Sequence, residues 1–384
     1  MFQLIKYLKN DYNYEFKVIS FKFGSSGNEK DLEPYCEDII TIELPLNLKK
    51  RYFSYFVNYV KCIFTGKISL KKSNYFDFSF SYKFQREVDK LINNEEFDLI
   101  FVDDFSMVPY VSDKDQIKVL TEINNAPELF KTNYELETNI FKKIITILNY
   151  LNAKNYEKNY DKFELCIATT EKVVEILDSK PYNLNYAIIP FGVNINQEYL
   201  GLDEDFPSIL FLGTMSSKFN QKSVLYIYKK IYPVLKKEFP TLKFFIVGKG
   251  PSKEIVKLDD GKSIIVTGYV KDIKGYISKA SVIVLPIHGF GIKTRLLEVM
   301  STGKPVVIYS KAIEGVNVSS NHDVLIADTT NDFIEEITKL LDNKDLRIKI
   351  GENAKKLMEK EYSWKSMADK LNQECQTLIS NKQR

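Results

Sequence analysis

The stretch HGFGIKTRLLEVMSTGKPVV, residues 288–307, concentrates chemistry in a short span. Gly289 and Gly291 flank Phe290 ahead of a helical pattern, and Ile292, Lys293, Thr294, Arg295 and Glu298 follow in its first turns. A glycine-rich turn lets backbone amides approach an anion closely. The helix behind it aims the positive end of its dipole at the same spot. Cations at a helix N-terminus oppose that dipole, so Lys293 and Arg295 need another reason to be there. Negative charge growing on a leaving group would supply it. Glu298 is suited to accept hydrogen bonds from two vicinal hydroxyls; the plain alternative is an i,i+3 pair with Arg295, worth roughly a few tenths of a kcal/mol. Thr294 shares a face with Glu298 and suits either a phosphate contact or a cap. Gly303 reads as the residue that ends the helix.

The elements that must position these residues are legible in the second half of the chain. Short apolar runs recur at 209–212, 242–247, 263–266, 282–285, 305–308 and 324–327, as strands covered on both faces require. Between the first two, Val224, Ile227, Ile231 and Leu235 mark one face of a helix. Strand, helix, strand at this spacing predicts right-handed βαβ units and a parallel sheet. Gly213, Gly248, Gly268 and Pro286 follow strands at the end where open α/β sheets bind ligands. The first half offers candidate strands at 17–21, 39–43, 98–102, 165–168 and 186–189, with helical patterns at 85–93, 134–152 and 171–177. The chain opens directly on an apparent helix, FQLIKYL, so a first strand with its glycine turn is expected to be missing.

Bulk properties exclude several classes. A chain of 384 residues suits two domains, and 44% hydrophobic with 27% charged residues is an ordinary soluble balance. A net charge of +3 argues against a global nucleic-acid field. Cys36, Cys62, Cys166 and Cys375 lack metal-site spacing, and His288 and His322 are the only histidines. A zinc cluster is therefore not expected, and a reducing compartment is. No signal-peptide pattern and no run of about 18 apolar residues stands out.

Several segments in order, FLGTMSSKFNQKSVLYIYKKIYPVLKKEFPTLKFFIVGKGP, VTGYVKD, LPIHGFGIKTRLLEVMSTGKPVV, the EG at 314–315 and the YSW at 362–364, resemble glycosyltransferase family 4. Within it they look like the exopolysaccharide-associated branch. The likeness is strong over about residues 165–370 and weak before, through FDLIFVDDFSMVPYV and PFGVN. It implies a GT-B fold of α/β class, two Rossmann-like parallel-sheet domains facing across a cleft. Their expected bounds are 1–191 on the acceptor side and 192–364 on the nucleotide-sugar side, with 365–384 a helix crossing back. It also implies retaining transfer of a sugar from a nucleoside-diphosphate sugar to a glycan or lipid-linked acceptor, in surface polysaccharide or glycolipid assembly. Neither a metal nor another cofactor is implied, and the cytoplasm, or the inner face of the membrane, is the expected location.

The resemblance distributes roles. Lys293, Arg295 and Glu298 are the expected catalytic set, with Glu298 on the donor ribose. Gly213, Lys218, Gly248, Tyr269, Val270, His288, Gly289, Phe290, Gly291, Ile292 and Thr294 are the expected donor contacts. Lys218 and Lys222 suit the diphosphate or a solvated loop, and Tyr269 and Val270 suit the nucleobase or a plain strand-ending turn. Three departures stand against the pattern. Phe290 replaces the first glutamate of an E-x7-E pair, leaving His288 as the nearest polar substitute; the first strand and its glycine-rich loop are expected to be absent; and no histidine precedes residue 288. Asp103, Asp104 and Glu122 are candidates for an acceptor-side base, with turn duty as the default. Residues 46–76 contain no acid and alternate cations with aromatics. They suit an interfacial helix on anionic lipid, or a helix with its aromatic side packed inward. Two other readings keep the fold: a sugar-nucleotide-binding protein without turnover, and a sugar-nucleotide epimerase.

Overall fold

The structure, a computed structural model, describes residues 1–22, 29–43, 81–111, 113–122, 125–181, 183–195, 206–287 and 294–382. The basic aromatic segment 46–76 lies outside the described residues. The chain divides into two compact units, Met1–Ile189 with Ala368–Arg384, and Pro190–Met367.

The N-terminal unit starts with α1 (Phe2–Tyr12), which buries Ile5 and Leu8. It continues through β1 (Lys17–Lys22), β2 (Asp38–Glu43), α2 (Tyr82–Asn94), β3 (Leu99–Asp103) and β4 (Ile117–Glu122). Next come α3 (Ala126–Leu136), α4 (Ile140–Glu157), β5 (Leu165–Ala168), α5 (Glu171–Asp178) and β6 (Tyr186–Ile188). β1 pairs only with β2, and the remaining strands form a separate parallel sheet in the order β3-β4-β5-β6. No strand among the described residues joins the two sheets. The periodic stretch 134–152 proves to be parts of two helices. Asn139 breaks it, its side chain accepting from the Lys142 amide at 3.2 Å.

β4 was not anticipated, because Lys118, Thr121 and Glu122 disguise it. Lys118 is 4% exposed, its ammonium donating to the carbonyls of Lys114 and Gln116. Glu122 is also buried. It accepts from the Ala126 amide at 2.9 Å and from the Tyr160 hydroxyl. Burial pushes its carboxyl up to about 7 against those two hydrogen bonds, with Asp104 and Glu157 adding to the rise.

The C-terminal unit holds β7 (Ser208–Leu212), α6 (Lys218–Tyr226), which runs through a π turn (Ile227–Ile231) into α7 (Tyr232–Glu238), and β8 (Lys243–Val247). β9 (Ile264–Gly268), β10 (Val282–Leu285), α8 (Thr294–Met300), β11 (Val306–Ile308) and β12 (Leu325–Ile326) follow. α9 (Thr330–Asp342), α10 (Lys344–Glu361) and α11 (Trp364–Lys382) complete the chain. The sheet is wholly parallel, in the order β12-β11-β10-β7-β8-β9. Every residue of β7, β10 and β11 is buried, as helices on both faces demand. Val224, Ile227, Ile231 and Leu235 all face this core.

Two sequence motifs meet here. Val193 of PFGVN bridges to Ser363 of YSW, its amide donating to the Tyr362 carbonyl at 2.7 Å. Gly192 leaves room for the Trp364 ring, which a Cβ would meet at 2.4 Å. Gly303 closes α8 at φ +75°, and Lys304 is fully buried with its ammonium on the carbonyls of Ser278 and Ala280. Helix α10 passes this corner so closely that a Cβ on Gly351 would lie 1.8 Å from the Gly303 oxygen.

Two outcomes follow. Gly351→Ala must push α10 off the Gly303 corner, and should lower the unfolding free energy in urea by about 1–3 kcal/mol. Glu122 keeps its proton in the folded state over a pH range in which the unfolded chain has lost it. Its contribution to stability is therefore fully present below about pH 4.5 and is lost, by about 3 kcal/mol in all, as pH rises through about 7. Urea midpoints measured across this window should decline, and Glu122→Gln should flatten the decline.

Candidate active site

In the C-terminal unit the chain starts at β7, builds β8 and β9 to one side, then crosses back to place β10, β11 and β12 on the other. The order reverses between β7 and β10. The carboxyl ends of strands at such a reversal are where open α/β sheets take ligands. Residues 288–293, which contain His288, Gly289, Phe290, Gly291, Ile292 and Lys293, lie outside the described residues. The chain resumes in α8 at Thr294, which is exposed.

Arg295 occupies this position. Its guanidinium lies on the backbone of the turn after β7, where a Cβ on Gly213 would stand 2.7 Å from Arg295 Cζ. Only glycine permits that approach. The Arg295 carbon is 5.8 Å from the centre of the Phe211 ring, and Nη1 donates to Asn220 Oδ1 at 3.4 Å. Burial pulls Arg295 below its ordinary value while Glu298 works the other way. An arginine so shifted still carries its charge.

Glu298, one turn along α8, reaches solvent. Its carboxyl is raised because surrounding protein displaces water from it, with Arg295 opposing the rise. The two do not form a direct ion pair, so the plain i,i+3 salt bridge is not what places them. Instead the cation is turned toward the Gly213 turn and the carboxylate is left accessible.

The surrounding loops interlock. Asn220 and Gln221, from α6, donate side-chain hydrogen bonds to the carbonyls of Thr214 and Met215 at 2.9 and 2.7 Å, which fixes the turn. Gly248 sits at φ +149°, where a Cβ would lie 1.8 Å from the Gly213 oxygen. The Gly213 amide donates to Val247, and the Gly248 amide to Gly268, so the ends of β7, β8 and β9 are tied together. The Ser223 hydroxyl donates to the Pro286 carbonyl at 2.6 Å and holds the end of β10.

The other expected donor contacts divide. Tyr269 is 71% exposed at the end of β9, presenting a free aromatic face, whereas Val270 packs against the core. Lys218 and Lys222 are exposed on the first turns of α6. His322 is a loop residue on Asp323, its Nδ1 at 2.8 Å from the carboxylate. In the N-terminal unit, Asp103 and Asp104 end β3, where Asp104 has φ +102° and caps the next turn through the Ser106 amide. Glu122 is sealed off by Tyr160 and α3, which fits structure and not proton exchange with an acceptor. Asn220 and Phe211 were not read from sequence. Their contact with Arg295 spans 75 positions for Asn220, and nothing local announces it.

Chemically, this is a charged guanidinium, partly stripped of water and, among the described residues, without a carboxylate on it. Glu298, a carboxylate suited to hydroxyls, lies on α8 after β10, and the exposed Tyr269 ring follows β9 of the same sheet. Among the described residues no group of three or more His, Cys, Asp or Glu gathers as a metal site would.

Comparison with known proteins agrees with this layout. Residues 206–343 match the family model described as glycosyl transferases group 1. An alpha-D-kanosaminyltransferase of Streptomyces kanamyceticus is 27% identical over 186 residues, 46% of this chain and 46% of its own length. An uncharacterised glycosyltransferase of Methanocaldococcus jannaschii is 29% identical over 57% of this chain and 60% of its own. The chain thus matches less than two thirds of either relative. Among solved structures, a glycosyltransferase from Rickettsia africae superposes with a TM-score of 0.61 at 17% identity, covering 99% of this chain and 94% of the other. Anabaena Alr3699/HepE, solved with UDP and glucose, also superposes at 0.61, with 12% identity and coverage of 97% and 94%. The chain has the GT-B fold, and its residues 206–343 carry the pattern of group 1 glycosyl transferases.

Proposed function

We propose that the protein is a retaining glycosyltransferase that moves a sugar from a nucleoside-diphosphate donor to a glycan or lipid-linked acceptor. The observation that carries this reading is the Arg295 guanidinium laid on Gly213 at the carboxyl ends of β7 and β10, with no carboxylate among the described residues paired to it. In this reading the diphosphate completes the site. Arg295, with Lys293 and the amides of the glycine-rich turn, takes up the charge that grows on the departing β-phosphate. Glu298 accepts hydrogen bonds from the two ribose hydroxyls, and Tyr269 flanks the base. The acceptor hydroxyl attacks the same face of the sugar that the phosphate leaves, and the departing phosphate oxygen takes its proton. A role in surface polysaccharide or glycolipid assembly at the inner face of the membrane fits this chemistry. No helix among the described residues is long and apolar enough to cross a membrane.

A second reading, donor binding without turnover, is favoured by one observation: the N-terminal unit has two separate sheets where a complete one is expected. Binding of nucleoside diphosphate by calorimetry without release of product from any donor would establish it over transfer.

With a panel of UDP-, GDP- and ADP-sugars, transfer or donor hydrolysis is expected for at least one donor. Arg295→Ala and Glu298→Ala should each depress it about a hundredfold or more. Gly213→Ala, which changes no charge, should also depress it, because the new methyl displaces the guanidinium. Full activity in all three variants would contradict the assignment. In this reading the cations of the chain take the place of a metal, so EDTA should leave turnover within about a factor of two.

A further inference from the structure

Helix α4 of the N-terminal unit faces the wrong way for a helix in water. Ile140, Ile144, Ile147 and Leu151 recur at the spacing that lines one helical face. Ile140 is 69% exposed and Ile147 37%, and Ile144 and Leu151 are partly exposed. From 140 to 151 no described side chain is buried. The side turned toward α3 is polar in these turns, where Thr146 and Asn149 border a small pocket with Phe130, Asn133 and Glu137. Burial begins only beyond them, at Ala153, Tyr156 and Glu157. Helix α5 of the same unit shows the usual order and buries Val173, Val174 and Leu177.

Charge accompanies the aliphatic stripe. Residues 138–156 contain no acid, while Lys142, Lys143 and Lys154 fall among them. Lys154 and Lys158 are exposed and continue the helical spacing beyond Leu151. Lys143 lies over the Tyr134 ring at 4.8 Å and Lys154 near the Tyr150 ring at 5.7 Å. The acids of the neighbouring turns are mostly engaged. Glu128 pairs with Lys131 at 3.7 Å, and Glu137 accepts from the Asn139 amide at 2.9 Å. Glu157 is buried against Asn125 and Lys180, and Glu135 of α3 is exposed.

An outward aliphatic stripe, flanked and extended by cations, is the composition of a helix that lies in a bilayer interface. A second copy of this chain fits the stripe less well. It would bring lysines against lysines, and the stripe is far smaller than the roughly 20–30 residues a side of a stable dimer. We propose that the outer face of α4 docks on an anionic lipid bilayer. Ile140, Ile144, Ile147 and Leu151 enter the boundary of the acyl chains, and Lys143, Lys154 and Lys158 meet the headgroups. This surface is separate from residues 46–76, and its test needs neither a sugar donor nor turnover.

Flotation of the full 384-residue chain with vesicles tests the proposal. The chain should float with vesicles of mixed phosphatidylcholine and phosphatidylglycerol, and about tenfold less with phosphatidylcholine alone. Ile140→Ser with Ile147→Ser should lower partition to the anionic vesicles about tenfold or more. Lys154→Gln with Lys158→Gln should lower it about tenfold and remove the preference for anionic lipid. Hydrogen exchange on the unaltered chain gives a reading that depends on no variant: anionic vesicles should slow the amides of 140–151 and leave 208–212 unchanged. No flotation, flotation undiminished in the isoleucine variant, or exchange at 140–151 indifferent to vesicles would each overturn the proposal. So would a concentration-dependent dimer abolished by the isoleucine changes, which would make a second copy the occupant.

Discussion

The structure of the C-terminal unit turns on a cation brought out of water without an anion to meet it. Desolvating a guanidinium is costly unless its donors are engaged. Among the described residues, Arg295 meets the ring face of Phe211, one long hydrogen bond to Asn220 and the bare backbone of Gly213. Each of these positions the group and none neutralises it. Glu298, three residues on, is placed to tune Arg295 and is not bonded to it. Such a site is stable in isolation but electrostatically unfinished, and its natural complement is a bound anion.

The topology explains why the cation lies there. Because β7 is flanked on one side by β8 and on the other by the later β10, the strand order reverses there, and the carboxyl edge at a reversal is where such sheets take ligands. Gly213 must lack a side chain to admit Arg295. Gly248 must lack one to admit the oxygen of Gly213. Asn220 and Gln221 hold the intervening turn, and Ser223 holds the end of β10. A sheet whose strands β7, β10 and β11 are wholly buried stands behind these loops, so the site is organised before a ligand arrives. In the N-terminal unit the described strands form two sheets, and β1 and most of β3 stay partly exposed.

Much of this was legible in the order of residues. The apolar runs of the C-terminal sheet were readable because strands buried on both faces leave little room for polar positions, and the glycines after them marked the ligand-facing end. Arg295 and Glu298 stood out because cations in a first helical turn lack a local reason. What local pattern could not convey was contact across sequence. Asn220 and Phe211 reach Arg295 only after the sheet has formed. β4 escaped notice because the buried Lys118 and Glu122 find their partners in backbone carbonyls, an amide and Tyr160, and so break the expected apolar run. The helical pattern across 134–152 hid a break because Asn139 is a cap whose function shows only in its hydrogen bond to Lys142.

The most direct measurement is the structure of the protein bound to a nucleoside diphosphate such as UDP. The account predicts the diphosphate at the carboxyl ends of β7 and β10. A phosphate oxygen should lie about 2.7–2.9 Å from the Arg295 guanidinium, with the ribose hydroxyls on Glu298. A nucleotide bound elsewhere, or an Arg295 turned away from it toward a carboxylate of the protein, would contradict the account.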